Sequence, residues 1–151
     1  QEIDIPFWLL AIILLRRCGT SRCTETLLHE AGNSKHLLNI RTSIALTTER
    51  LAQKSILKRS DALTIAERLI ATPSPDTVLM PSRSIARSIR NENQMSLPNK
   101  SGAETKEDHS WQLHLIICRI QAAFNLKPSL AKLYLQDKRV YIRDRFQCFL
   151  K

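Results

Sequence analysis

Glycine is scarce in this chain, with only Gly19, Gly32 and Gly102 among 151 residues. Tight β-hairpin turns and phosphate-cradling loops depend on glycine, because glycine adopts positive φ angles without steric cost. Aromatic residues make up only 5% of the chain, so leucine, isoleucine and alanine must build the core. The composition therefore argues against an all-β fold and against a glycine-rich nucleotide-binding loop, and it favours packed helices.

Catalytic signatures are absent as well. The sequence has no G-x-G-x-x-G, P-loop, H-E-x-x-H or G-x-S-x-G pattern, and no pair of acids in an apolar context that would shift a pKa. We therefore expect a protein without enzymatic activity and without a cofactor. Four cysteines are too few for a disulfide scaffold, which favours a reducing intracellular compartment. They are Cys18, Cys23, Cys118 and Cys148.

The longest helical pattern covers residues 34–71, which contain neither glycine nor proline. Apolar residues recur there at spacings of three, four and seven, as on one face of a helix. Ser34 and Ser60 can each cap a helix, so this stretch predicts two helices in series. A helix-turn-helix motif matches only in part, because Ile56 stands where that motif needs glycine. A plain helical hairpin is the favoured interpretation.

Positive charge accompanies this pattern, and the formal net charge of the whole chain is +9. A basic edge follows the apolar face of residues 34–71; it consists of Lys35, Arg41, Arg50, Lys54, Lys58, Arg59 and Arg68. Further along, Arg83, Arg87 and Arg90 share one face at helical spacing, with no acid between them. Three arginines on one face repel one another unless an anion binds between them. The planar guanidinium group of arginine can donate two hydrogen bonds to a phosphate.

We therefore predict a basic helical protein that binds nucleic acid, with DNA favoured, in a regulatory role. The predicted phosphate contacts are Arg83, Arg87, Arg90, Lys54, Lys58 and Arg59. The alternative is a helical protein-interaction or accessory subunit of a larger assembly, docked on a partner or associated with a membrane through residues 5–15. In that case the basic surface is solvated or meets an acidic partner.

The second distinctive stretch is an uninterrupted apolar run over residues 5–15, IPFWLLAIILL. As a helix it spans about 16 Å, roughly half of a bilayer's hydrocarbon core. A buried or partner-docking helix is favoured over a membrane-associated segment and over the remnant of a targeting sequence. If the run is not covered, Phe7, Trp8 and Ile12 would form an apolar patch for a protein partner or for self-association.

Cys18, Cys23, His29 and His36 are weak candidates for a zinc site, since Cys₂His₂ is a legitimate ligand set. Their spacing is C-x₄-C-x₅-H-x₆-H, in which the inner gap is shorter and the histidine gap longer than in a zinc finger. We therefore predict no metal and, in its place, a short helix over residues 24–31 that ends at Gly32.

Residues 91–110 are polar and predict a linker, and residues 111–126 predict a strongly apolar helix ended by Asn125 and Pro128. Beyond this helix, Val140 and Ile142 suggest a short strand or β-hairpin near residues 139–143. The predicted fold is all-α, a small bundle of five to seven helices. Its predicted parts are an N-terminal helix with a Cys/His segment (1–33), a helical unit with a basic face (34–90), the linker (91–110) and a C-terminal helical unit (111–151).

Overall fold

The computed structural model describes residues 5–75 and 110–151. These two segments form six α-helices and three short 3-10 helices, with no strand. The α-helices are α1 (Ile5–Cys18), α2 (Thr24–Ala31), α3 (Leu38–Gln53), α4 (Arg59–Ala71), α5 (Ser110–Ala123) and α6 (Val140–Gln147). The 3-10 helices are Ser21–Cys23, Ser129–Tyr134 and Cys148–Leu150. The prediction of an all-α fold of five to seven helices is confirmed.

The strand suggested near residues 139–143 is wrong, because helix α6 begins at Val140. Ile142 and Phe146 are both fully buried, and Phe146 stacks on Tyr134 with ring centroids 4.1 Å apart. One helical turn brings the side chains of Ile142 and Phe146 within about 6 Å of each other, whereas a strand would separate them by about 13 Å. Only the helix lets both residues join the same small core.

Helix α3 is the centre of the bundle, and α1, α2, α4 and α5 all pack against it. Eight of its 16 residues are buried, more than a surface helix buries along one stripe. Helix α3 begins at Leu38 rather than after the predicted cap Ser34, and α4 begins at Arg59 rather than after Ser60. The residue before each helix makes no side-chain cap hydrogen bond, so tertiary packing determines where these helices begin.

Arg41 lies in the core and is fully buried. Its guanidinium donates hydrogen bonds to the carbonyl oxygens of Ala31 at 3.2 Å, Asn33 at 3.3 Å and Leu69 at 2.7 Å. Ala31 and Leu69 belong to the last turns of α2 and α4, where carbonyls lack intrahelical partners and attract a cation. Arg41, which the sequence places in the basic edge, therefore lies in the core and not at the surface.

The hydrogen bond between Arg41 and Leu69 also shows how α3 and α4 are arranged. Arg41 lies about 18 Å before the end of α3, and Leu69 about 15 Å after the start of α4. A near-perpendicular crossing, as in a helix-turn-helix motif, would place these residues more than about 20 Å apart. One arginine side chain bridges them, so α3 and α4 form an antiparallel helical hairpin.

Helix α5 contributes to two apolar clusters. Its residues Leu113, Ile116, Ile117 and Ile120 pack into the main core around α3. The second cluster consists of Trp111, Cys118, Ala131, Tyr134, Ile142 and Phe146. Apart from Ser110, the predicted linker 91–110 lies outside the described residues, so the division of the chain at this segment stays a prediction.

Candidate nucleic-acid interface

Three of the six predicted phosphate contacts lie together in the connection between α3 and α4. Lys54 follows the last residue of α3, Lys58 precedes α4, and Arg59 is the first residue of α4. All three side chains are exposed, and we call these three residues the basic turn. The other predicted contacts lie outside the described residues and stay predictions: Arg83, Arg87 and Arg90.

The backbone of the basic turn has a defined shape. Ser55 adopts a positive φ of 59°, the N–H of Ile56 donates to the carbonyl of Leu51 at 2.9 Å, and the N–H of Ser55 donates to Ala52 at 3.0 Å. These bonds make a Schellman motif, which ends α3 and reverses the chain. Leu57 is buried beneath the turn, so the basic side chains on either side of it remain on the surface.

Helix α5 ends beside the basic turn with the same motif. Asn125 has a φ of 62°, and the N–H of Leu126 donates to the carbonyl of Gln121 at 3.0 Å. The guanidinium of Arg59 lies 5.9 Å from the ring centroid of Phe124, near the end of α5. Lys127 follows this end and is also exposed. Sequence reasoning missed Lys127 because no local pattern links it to residues 54–59.

The position of the basic turn is partly unfavourable for stability. Lys58 and Arg59 stand at the N-terminus of α4, where the helix dipole disfavours a cation by about 0.3–1 kcal/mol. Lys58 also makes no side-chain cap hydrogen bond, at a position where serine, threonine, aspartate or asparagine is preferred. Asp61 in the first turn opposes the two charges, and Lys54 at the end of α3 is favourably placed. The helix dipole therefore gives no reason for a basic residue at position 58, whereas Arg59 is accounted for in part by its contact with the Phe124 ring.

Other arginines are engaged within the protein. Arg68 donates to the carbonyl of Leu28 at 2.7 Å, and Arg119 donates two hydrogen bonds of 2.7 and 2.9 Å to the carboxylate of Glu49. In the two described segments the basic turn makes no ion pair and no side-chain hydrogen bond. Arg68 and Arg119 thus connect helices, whereas the three cations of the basic turn are exposed and form no such bond with any described residue.

Helix α1 is covered on one face only. Ile12 is 3% exposed and Trp8 packs partly buried against the core, whereas Phe7 is 62% exposed. Of the patch predicted from Phe7, Trp8 and Ile12, only Phe7 therefore faces outwards. The exposed face consists instead of Phe7, Leu10, Ile13 and Leu14. The apolar run gave no sign of this difference, because it is apolar all round.

A polar contact fixes the orientation of α1 on α3. The guanidinium of Arg16 donates to the hydroxyl of Ser43 at 2.9 Å and to the hydroxyl of Thr47 at 3.2 Å. The hydroxyl of Thr47 in turn donates to the carbonyl of Ile12 at 3.3 Å. Burial lowers the pKa of Arg16 from its ordinary value. An arginine nevertheless stays positively charged at neutral pH.

The residues named as weak candidates for a zinc site do not form one cluster. His36 is buried, hydrogen-bonded through Nε2 to Glu30 and packed edge-on against Trp8 with ring centroids 5.1 Å apart. His29 is exposed and pairs with Glu30 at 3.0 Å. Among the described residues, no group of three or more histidine, cysteine, aspartate or glutamate side chains could hold a metal ion. The remaining candidates, Cys18 and Cys23, are free thiols.

Glu30 is the centre of this polar cluster. Burial alone would raise the pKa of its carboxyl group, but hydrogen bonds from His36, His29 and Asn33 together lower that pKa below its ordinary value. The cluster joins the end of α2 to the segment before α3, and Trp8 brings α1 against it. Helix α2 coincides with the helix predicted over residues 24–31.

In the described part of the chain, no helix has both the length and the apolar character needed to cross a membrane. No family model, no curated protein and no solved structure matches this chain. Its function is therefore inferred from the geometry and charge of its own residues.

Proposed function

We propose that this protein binds the phosphate backbone of a nucleic acid, with duplex DNA as the favoured form, and that the basic turn makes the contact. The main support is the position of Lys58 and Arg59 at the N-terminus of α4, where their charges oppose the helix dipole. A bound phosphate would offset this cost, because it attracts both cations and is itself favoured at a helix N-terminus.

The structure of the turn favours a preorganised contact. The Schellman motif and the buried Leu57 hold the backbone, and the face of Phe124 supports the guanidinium of Arg59. A side chain that is already ordered loses less entropy when it binds a ligand. Phosphate contacts position a protein on a duplex without reading bases, so the basic turn by itself is expected to give little sequence specificity.

Salt-dependent binding provides the test. Fluorescence anisotropy would follow a labelled duplex of about 25 base pairs between about 50 and 200 mM salt. A variant with Lys54, Lys58 and Arg59 all changed to glutamine should bind more weakly. Its plot of log affinity against log salt should be shallower by up to about 2.7, because each lost phosphate contact reduces the slope by about 0.9.

The control variant removes the same charge elsewhere, through Lys132, Lys138 and Lys151 changed to glutamine; all three are exposed. It should keep most of the wild-type affinity and slope. Equal losses in the two variants would show a general charge effect and no site at the basic turn. A wild-type protein that does not bind the duplex at low salt would contradict the proposal as a whole.

Arg83, Arg87 and Arg90 require a separate variant, with all three changed to glutamine. If they also contact phosphate, this variant should reduce the salt slope independently of the basic turn. The regulatory role and the lack of catalysis stay predictions from the sequence.

A further inference from the structure

The outer face of α1 carries four large apolar side chains in a contiguous line. The exposed fractions are 62% for Phe7, 58% for Leu10, 40% for Ile13 and 53% for Leu14. Their spacing of three and four residues places them on one side of the helix. The opposite side is held against α3, so α1 cannot turn this face inwards without losing the contacts of Ile12 and Arg16.

The charge at the C-terminal end of this face is positive, whereas Glu2 and Asp4 precede α1 in the sequence. Helix α1 has no acidic residue between Ile5 and Cys18, and Arg17 lies one turn beyond Leu14 on the exposed side. Arg22 is exposed in the 3-10 helix that follows. An apolar line that ends in exposed arginines complements a surface whose interior is apolar and whose boundary is anionic.

We propose that this face docks on an anionic lipid bilayer, with α1 lying parallel to the membrane surface. Phe7, Leu10 and Leu14 would enter the boundary between headgroups and acyl chains. Arg17 would remain at the level of the lipid phosphates, with its aliphatic stem along the apolar layer. The proposal is independent of the basic turn and goes beyond nucleic-acid binding.

The size of the face favours lipid over a protein partner. The apolar line from Phe7 to Leu14 is only about 10 Å long and lies on the convex side of one helix. A stable protein interface buries about 800 Å² on each partner, while a bilayer needs only a few inserted apolar side chains.

Co-sedimentation with vesicles tests the proposal. Wild-type protein should sediment with vesicles of mixed phosphatidylcholine and phosphatidylglycerol, and much less with phosphatidylcholine alone. Changing Phe7, Leu10 and Leu14 to serine should weaken binding by at least about 100-fold. Changing Arg17 and Arg22 to glutamine should weaken it about fivefold per arginine at low salt.

Matched controls distinguish insertion of the α1 face from nonspecific adsorption through exposed apolar residues. Leu133, Leu135 and Val140 are exposed apolar residues elsewhere, and their change to serine should leave vesicle binding unaltered. Circular dichroism should show equal helicity in all variants. The apolar α1 variant should keep wild-type affinity for duplex DNA, so this proposal and the proposed function can fail separately.

Three results would overturn the proposal. The first is wild-type protein that remains in the supernatant with anionic vesicles at low salt. The second is an apolar α1 variant that sediments as wild type does, which would indicate adsorption by charge alone. The third is a wild-type dimer in sedimentation velocity that this variant abolishes, without vesicle binding, which would assign the face to a second copy.

Discussion

The guanidinium of Arg41, on α3, donates a hydrogen bond of 2.7 Å to the carbonyl of Leu69, near the end of α4. This bond and those to Ala31 and Asn33 connect three helices through one buried side chain. A cation in the core is costly unless hydrogen bonds replace its lost hydration, and here the carbonyls at two helix ends do so. Arg41 thus joins α2 and α4 to the central helix.

Replacing Arg41 by methionine should lower the free energy of unfolding by about 3 kcal/mol or more. The variant keeps an unbranched side chain but leaves buried carbonyls without their donor, at about 1–3 kcal/mol for each. Urea unfolding followed by circular dichroism measures the change. Arg50→Met, at an exposed position on the same helix, should change stability by less than about 1 kcal/mol. Similar losses in the two variants would show that the three hydrogen bonds contribute little.

Replacing Ser55 by glycine should stabilise the protein by about 0.5–1 kcal/mol. Ser55 has a φ of 59°, a conformation that costs a residue with a Cβ about 1–2 kcal/mol, and glycine adopts it freely at some loss of chain entropy. Thermal unfolding would show the change. Gln53→Gly, two residues earlier and still helical, should destabilise instead. If both glycine variants destabilise, the positive φ at residue 55 is not a source of strain.

Replacing Glu30 by glutamine should destabilise the protein by about 1–2 kcal/mol at neutral pH, because charged hydrogen bonds to the carboxylate are lost. The pKa of Glu30 is lower in the folded than in the unfolded protein. Its contribution is therefore complete above the unfolded pKa of about 4.3 and is lost as the pH falls through the folded pKa.

The stability difference between wild type and Glu30→Gln should accordingly shrink as the pH falls below about 5. Urea titrations at several pH values measure this. Glu25→Gln, at an exposed position of the same helix, is the control and should show a much smaller pH dependence. A difference that does not shrink below about pH 5 would show that the charged form of Glu30 is not stabilised in the fold.

The cysteines should differ sharply in reactivity. Burial raises the pKa of the Cys118 thiol to about 12, and the proximity of Cys148 raises it as well. At pH 8 the thiolate of Cys118 should be at least about 1,000-fold scarcer than that of an ordinary cysteine. Cys18 and Cys148 are exposed and should react with maleimide quickly.

Mass spectrometry of labelled peptides can assign each site. Cys118 should be labelled only after unfolding in urea, at a rate that follows global unfolding. Labelling of Cys118 in the native protein as fast as that of Cys18 would show that the second apolar cluster opens readily.

Several features of this fold followed from local sequence alone. The scarcity of glycine and the spacing of apolar residues indicated helices, because helical periodicity depends only on neighbouring positions. The end of α5 was predicted at Asn125, which takes the positive φ that a helix end often needs. The sequence also indicated that Lys54, Lys58 and Arg59 lie near one another, since these residues are close in the chain.

Tertiary structure decided which residues of each pattern are covered. Arg41 and Lys54 belong to the same basic edge in the sequence, yet Arg41 is buried. The carbonyls that accept its hydrogen bonds lie in α2, in the segment after α2 and in α4. In α1 every face is apolar, so only docking on α3 selects Ile12 for the core and leaves Phe7 on the surface. Local sequence determined where helices can form, whereas the partners that cover each face come from distant segments and were settled only when the chain packed.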